Sequence, residues 1–217
     1  MLEQLITQLY QKKNAQQAIQ MAVYMKNQFP FLGIRMPERK KLCTAYFKQE
    51  KAKKHIDWQA VERLWALPER EFQYIAADYL HIMQSFLTEQ DLPRLQKLVT
   101  TKSWWDTVDN LDQTIGNIRF PCQTVDDAML SWSKADNIWL RRVAINHQLL
   151  RKEKTKPELL KRILLNNLNQ TEFFINKAMG WILRDYSKTN PEWVRTFITE
   201  NKAGLSQLTL REAEKYL

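Results

Sequence analysis

Ser103-Trp-Trp-Asp-Thr-Val-Asp-Asn-Leu111 opens on a residue of capping type and then turns amphipathic. Trp104, Val108, Leu111 and Ile115 fall at i, i+4, i+7 and i+11, one apolar stripe of a helix. Three other stretches share this form: Pro68-Glu-Arg-Glu-Phe-Gln-Tyr-Ile-Ala-Ala-Asp-Tyr-Leu80, Asp136-Asn-Ile-Trp-Leu-Arg-Arg-Val-Ala-Ile145 and Thr171-Glu-Phe-Phe-Ile-Asn-Lys-Ala-Met-Gly-Trp-Ile-Leu183. Each begins with a proline or a capping residue. With Ala76, Val108, Ala144 and Gly180 set level, the offsets are 32, 36 and 36 residues. A second helical stretch precedes each, as in Leu92 to Val99 and Pro157 to Leu168. This period suits a two-helix unit of the HEAT type, slightly under its usual ~40 residues. The expected fold is all-α: a curved HEAT-like solenoid of antiparallel helical pairs, one domain over residues 1–217, with a concave surface built from successive equivalent helices. Pro37, Pro68 and Pro157 are expected in first helical turns, and Ser103 with Asp106 resembles a capping box with the shorter acid.

Composition narrows the chemistry. The chain has 217 residues, 44% apolar and 26% charged, an ordinary globular balance that needs no disulfide or metal staple. Its only glycines are Gly33, Gly116, Gly180 and Gly204, the closest pair 24 apart. Walker loops, dinucleotide fingerprints, nucleophile elbows and kinase glycine loops all need glycines a few residues apart, so none exists here. A glycine-bearing DNA-gripping hairpin is excluded for the same reason. Cys43 and Cys122 are 79 apart and read as reduced residues of a cytoplasmic protein. His55, His81 and His147 show no ligand spacing, so no metal site is expected. No apolar run is long enough to span a membrane, and Met1 to Phe29 lacks a signal-peptide core.

The formal charge of +9 predicts an anionic partner, most simply nucleic acid. The excess is local. Residues 139–195 hold 12 basic and 5 acidic side chains, net +7, against +2 for all the rest. In the Thr171 helix, Ile175, Met179, Ile182 and Tyr186 make the core stripe. Beside it Lys177, Trp181, Arg184 and Lys188 run at the same spacing. An indole among cations suits nucleic acid, the charges taking phosphates and the ring a sugar or base; packing on the next repeat with the cations snorkelling outward fits equally. Trp105 lies about 100° around from the Ser103 stripe, with Asp109 one turn on along the same face. That pair reads either as a site or as a covering Trp beside a solvated acid. Arg142 stands in an apolar row with Ile138, Ile145 and Leu149, so its guanidinium needs an acid, carbonyls or a phosphate. The Gly33 turn delivers Pro37 to a helix start whose N–H groups suit a phosphate.

Tyr24-Met-Lys-Asn, Phe31-Leu-Gly-Ile, Leu67-Pro-Glu-Arg-Glu-Phe72, Thr101-Lys-Ser-Trp-Trp-Asp-Thr-Val-Asp109, Asp136-Asn-Ile-Trp-Leu-Arg-Arg142 and Lys177-Ala-Met-Gly-Trp-Ile-Leu-Arg184 together resemble the AlkD family of bacterial alkylpurine DNA glycosylases, from about residue 10 onward. The resemblance implies a monomeric HEAT-like solenoid that holds duplex DNA in a basic concave groove and releases cationic N3- and N7-alkylated purines. It makes Asp109 the catalytic aspartate and places Trp105 and Trp181 beside the lesion's sugar. Arg142 becomes a groove arginine, Tyr24 an N-terminal aromatic at the lesion, and Lys177, Arg184 and Lys188 cations of the DNA side. Arg35-Met36 departs from the smaller or polar residues expected in that loop. No cofactor is implied. The bond chemistry agrees: a cationic purine leaves readily, so a carboxylate that stabilises an oxocarbenium-like sugar and positions water suffices without histidine. Two other readings of the residues are a DNA-binding solenoid without catalysis and a scaffold for an acidic protein helix.

Overall fold

The computed structural model describes all 217 residues and is entirely helical, with thirteen α-helices, five short 3-10 turns and no strand. The chain packs as two compact units, Met1–Leu87 and Thr88–Leu217. No helix is long and apolar enough to cross a membrane.

The first unit holds α1 (Leu2–Gln11), α2 (Ala15–Tyr24), α3 (Met36–Ala52), α4 (Trp58–Ala66) and α5 (Arg70–Ile82). Its organising group is Glu71, a fully buried carboxylate that accepts the backbone N–H groups of Leu32, Gly33 and Ile34 at 2.8–3.0 Å. These charge-assisted bonds pin the α2–α3 loop to α5 and compensate the burial of the charge. Gly33 sits at φ +88°, where a Cβ would strike the backbone of Asn14, so the turn requires glycine. Pro37 occupies the first turn of α3 as its sequence position implies. Pro68 does not do so for α5. Leu67 before it is extended, the conformation a following proline favours, and the helix begins only at Arg70.

The second unit holds α6 (Leu92–Thr100), α7 (Trp105–Gly116), α8 (Gln123–Trp132), α9 (Ile138–Asn146), α10 (Pro157–Leu165), α11 (Phe173–Ser187), α12 (Pro191–Asn201) and α13 (Gln207–Ala213). Here α7, α9, α11 and α13 lie side by side in chain order. Behind them α6 packs on α7 and α9, α8 on α9, α10 on α8 and α9, and α12 on α11. This is a stack of helical pairs. The level positions Val108, Ala144 and Gly180 are all buried, on three consecutive helices of the front layer. Gly180 lets α13 approach α11: an added Cβ would lie 2.5 Å from Glu212 Cβ and 3.1 Å from the Thr209 carbonyl.

The capping of this layer follows the sequence in part. Asn137 caps α9, accepting from Trp139 N and Leu140 N, and Glu172 caps α11. Ser103 does not cap α7. Its hydroxyl donates instead to the Val99 carbonyl at 2.6 Å, closing the end of α6, so the capping box with Asp106 does not form. The cap position falls to Trp104, whose side chain has no acceptor oxygen. Trp104 is only half-buried, less enclosed than its place in the stripe implies. It joins Trp139 and Phe174 in a three-ring cluster, with centroids 4.9–5.8 Å apart, at the starts of α7, α9 and α11.

Candidate functional site

The front layer brings Asp109 of α7 against Arg142 of α9. Arg142 is 1% exposed. Its Nε donates to Asp109 Oδ1 at 2.6 Å and its Nη2 to Oδ2 at 2.7 Å, a two-pronged carboxylate–guanidinium pair. Nη1 donates to the Phe174 carbonyl at the start of α11. The aromatic cluster that fixes Phe174 thus also fixes the arginine. The acid-and-carbonyl option for Arg142 is the one realised. A buried guanidinium with these bonds orients Asp109, and a direct phosphate contact is not what its geometry offers.

The Asp109 side chain remains 21% exposed, so this edge of the pair faces outward. Burial pushes its carboxyl above the ordinary carboxylate range; Arg142 pulls it back down, and nearby Asp106 adds to the rise. Trp181 of α11 lies over the same guanidinium, its ring centroid 5.0 Å from Cζ. One aromatic, one cation and one carboxylate from three successive helices therefore meet at one place. Trp105, half-buried, is the first residue of α7, one turn before Asp109 on its face.

The cations of α11 are not loose. Lys177 donates to Glu212 Oε1 at 2.8 Å, and Arg184 to Oε2 at 2.7 Å. Lys215 joins at Oε2, 3.0 Å away. Lys177 first, and then Lys215, hold the Glu212 carboxyl down at about 2 against the opposing effect of burial. Lys188 is exposed, with its Nζ 4.7 Å from the Tyr216 ring centroid. Tyr24 belongs to the first unit, at the end of α2. It is 70% exposed and borders a pocket of about 220 Å³ with Gln17, Gln20, Met21, Met25, Phe31 and Tyr74.

Three residues of this region escape the sequence reading. Glu212, the side chain that faces Gly180, is one: the 36-residue spacing of Val108, Ala144 and Gly180 runs past it to Tyr216. Phe174 is another, and it acts through its carbonyl, which no side-chain pattern reveals. The third is Asp112, 1% exposed, one turn beyond Asp109 on α7. Burial, and then the charge of Asp109, push its carboxyl far upward. Its signal was present, since Asp112 falls inside the apolar stripe of Val108, Leu111 and Ile115.

Comparison with known proteins gives the family of the chain. The model of the family described as DNA alkylation repair enzyme matches residues 5–217. A solved structure titled as a predicted DNA alkylation repair enzyme from Enterococcus faecalis superposes with a TM-score of 0.86. It is 38% identical, over 95% of this chain and 97% of that one. No curated protein sequence matches.

Proposed function

Because the chain belongs to the DNA alkylation repair enzyme family, we propose that it is a monofunctional glycosylase that excises cationic N3- and N7-alkylated purines from duplex DNA in the cytoplasm, acting as a monomer without cofactor. The observation that carries this reading is the Asp109 carboxylate, gripped by Arg142 and flanked by Trp181 at the edge of the front layer. In the reaction the C1′–N bond breaks and its electron pair goes to the purine, cancelling the purine's positive charge. Positive charge moves to the deoxyribose. Asp109 stabilises it, and the indole faces of Trp105 and Trp181 add about 0.5–2 kcal/mol each. Water then bonds to C1′ and gives up a proton, leaving a neutral base and an abasic sugar.

The pair with Arg142 suits Asp109 to this task. Each carboxylate oxygen spends one lone pair on the guanidinium and retains another for sugar or water. The grip fixes the carboxylate before substrate arrives, so little reorganisation is needed as charge develops. The raised carboxyl, kept from rising further by Arg142, is a better proton acceptor than a solvated aspartate. Lys177, Arg184 and Lys188 on α11 provide the positive surface for the sugar–phosphate chain. The first unit, taken by itself, offers the exposed ring of Tyr24 as an aromatic contact for DNA. Selectivity then comes from the lability of a charged glycosidic bond, and neutral lesions are poor substrates.

Duplex DNA carrying 7-methylguanine tests the reading. The protein should release free 7-methylguanine, and Asp109→Asn should slow that release about 100-fold or more. Release that continues nearly unchanged in Asp109→Asn overturns the role assigned to this carboxylate. Binding without any release leaves a DNA-binding protein and removes the glycosylase.

A further inference from the structure

Glu212 holds three cations with one carboxylate. Lys177 reaches it from α11 on one oxygen; Arg184 from α11 and Lys215 from the turn after α13 share the other. The cluster carries a net charge of +2. The carboxylate lies beneath, with its side chain 7% exposed, whereas those of Lys177, Arg184 and Lys215 are 27%, 28% and 46% exposed. Each ammonium has three N–H donors and gives one to Glu212, so donors remain on the outer side of the cluster. Three like charges gathered this closely repel one another. One carboxylate offsets only part of that repulsion, and a second anion set on the outer side would offset more.

The surroundings say which anion. Four residues past Arg184, about 6 Å along the helix axis, Lys188 stands over the ring of Tyr216, which the turn after α13 supplies. A second positive point therefore follows the first along α11, with Trp181 on the same face. A free phosphate or a lone carboxylate would use one such point. A chain of regularly spaced monoanions with sugars between them uses both. We propose that Glu212, Lys215 and Tyr216 build a phosphodiester-binding site on α11, Lys215 contacting a backbone phosphate directly while Glu212 and Tyr216 hold Lys177, Arg184 and Lys188 in place for its neighbours. This rests on the reading of the protein as one that binds duplex DNA and adds the turn after α13 to that surface.

The salt dependence of affinity for an undamaged duplex tests the site. Each phosphate neutralised contributes about 0.9 to the slope of log affinity against log salt. Lys215→Ala should lower the slope by about that amount, so that its affinity deficit shrinks roughly threefold between 50 and 200 mM salt. Lys215→Arg should restore the wild-type slope. Lys161→Ala removes an equal charge from the Lys161–Glu200 pair between α10 and α12 and should leave the slope unchanged. Thermal stability and the rate of base release at saturating DNA should stay at wild-type values in Lys161→Ala, which lies outside the site. An unchanged slope in Lys215→Ala beside a steep wild-type slope overturns the site, as does an equal drop in Lys161→Ala. Loss of base release in the wild type with these slopes intact would sink the glycosylase reading and leave the phosphate site standing.

Discussion

Replacing Arg142 with methionine should injure the fold and the chemistry together, in a way that depends on pH. Methionine keeps much of the volume but removes the two bonds to Asp109 and the one to the Phe174 carbonyl. Taking one partner from a buried ion pair costs about 3–5 kcal/mol. Asp109 keeps partial contact with water, so the lower end applies, about 3 kcal/mol. In a chain of this length that is a fall of about 6–12 °C in Tm.

The pH dependence follows from Asp109. Its carboxyl is raised in the folded state by burial, with Arg142 as the opposing influence. The unfolded chain ionises this group first, so stability falls as pH rises from about 4 through the folded value. Without Arg142 the folded value climbs further and the window widens upward. The stability deficit of Arg142→Met should therefore be smallest near pH 4 and grow toward neutrality, and base release lost at pH 7 should partly return at higher pH. Urea unfolding at several pH values measures the first effect and release assays the second. In Asp109→Asn/Arg142→Met the two losses should be far from additive, because neither charge is left buried alone. A deficit below about 1 kcal/mol that is flat with pH, or full additivity in the double variant, refutes the pair as the organiser of the site.

Further outcomes are expected. The Asp112 carboxyl is buried and pushed upward by burial and by Asp109, so Asp112→Asn, which keeps its shape and removes the ionisable group, should move stability by under about 1.5 kcal/mol; a larger loss in urea unfolding would mean that the buried carboxyl group itself is needed. His147, fully buried with its Nδ1 on the Ala144 carbonyl, is held down to about 3 by burial and by nearby Arg151. The unfolded chain takes up that proton first, so stability should fall by about 1.4 kcal/mol per pH unit below about 6.5, and urea midpoints of His147→Asn should lose this slope. Lys188→Ala should weaken binding to all duplexes alike, whereas Trp181→Ala should reduce release at saturating DNA more than it reduces affinity; equal losses in both assays would remove the division of labour on α11.

What the sequence makes legible here is what one helix settles by itself. Trp105 and Asp109, or Lys177, Trp181 and Arg184, share a face because the backbone repeats every 3.6 residues, and no partner helix can change that. The all-helical stack is legible for a similar reason, since the spacing of Val108, Ala144 and Gly180 reports a unit that must bury its stripe against its neighbour. Pairing across helices depends on the relative height of two packed cylinders, and a shift of one turn changes every partner. Arg142 announces that it needs an anion but not that Asp109 is the one. Lys177 and Arg184 read as free cations until α13 arrives with Glu212, brought close by the missing side chain of Gly180. Caps misled for a local reason: a serine between two helices can close the first or open the second, and Ser103 closes the first. Both Arg142 and α11 thus have their charges engaged by carboxylates before any DNA is present. In the first case the acid is the proposed catalyst and the arginine its holder; in the second the cations are the proposed contacts and the acid their holder. The same interaction serves opposite ends because burial differs: the member of each pair left nearer to water is the one available to substrate.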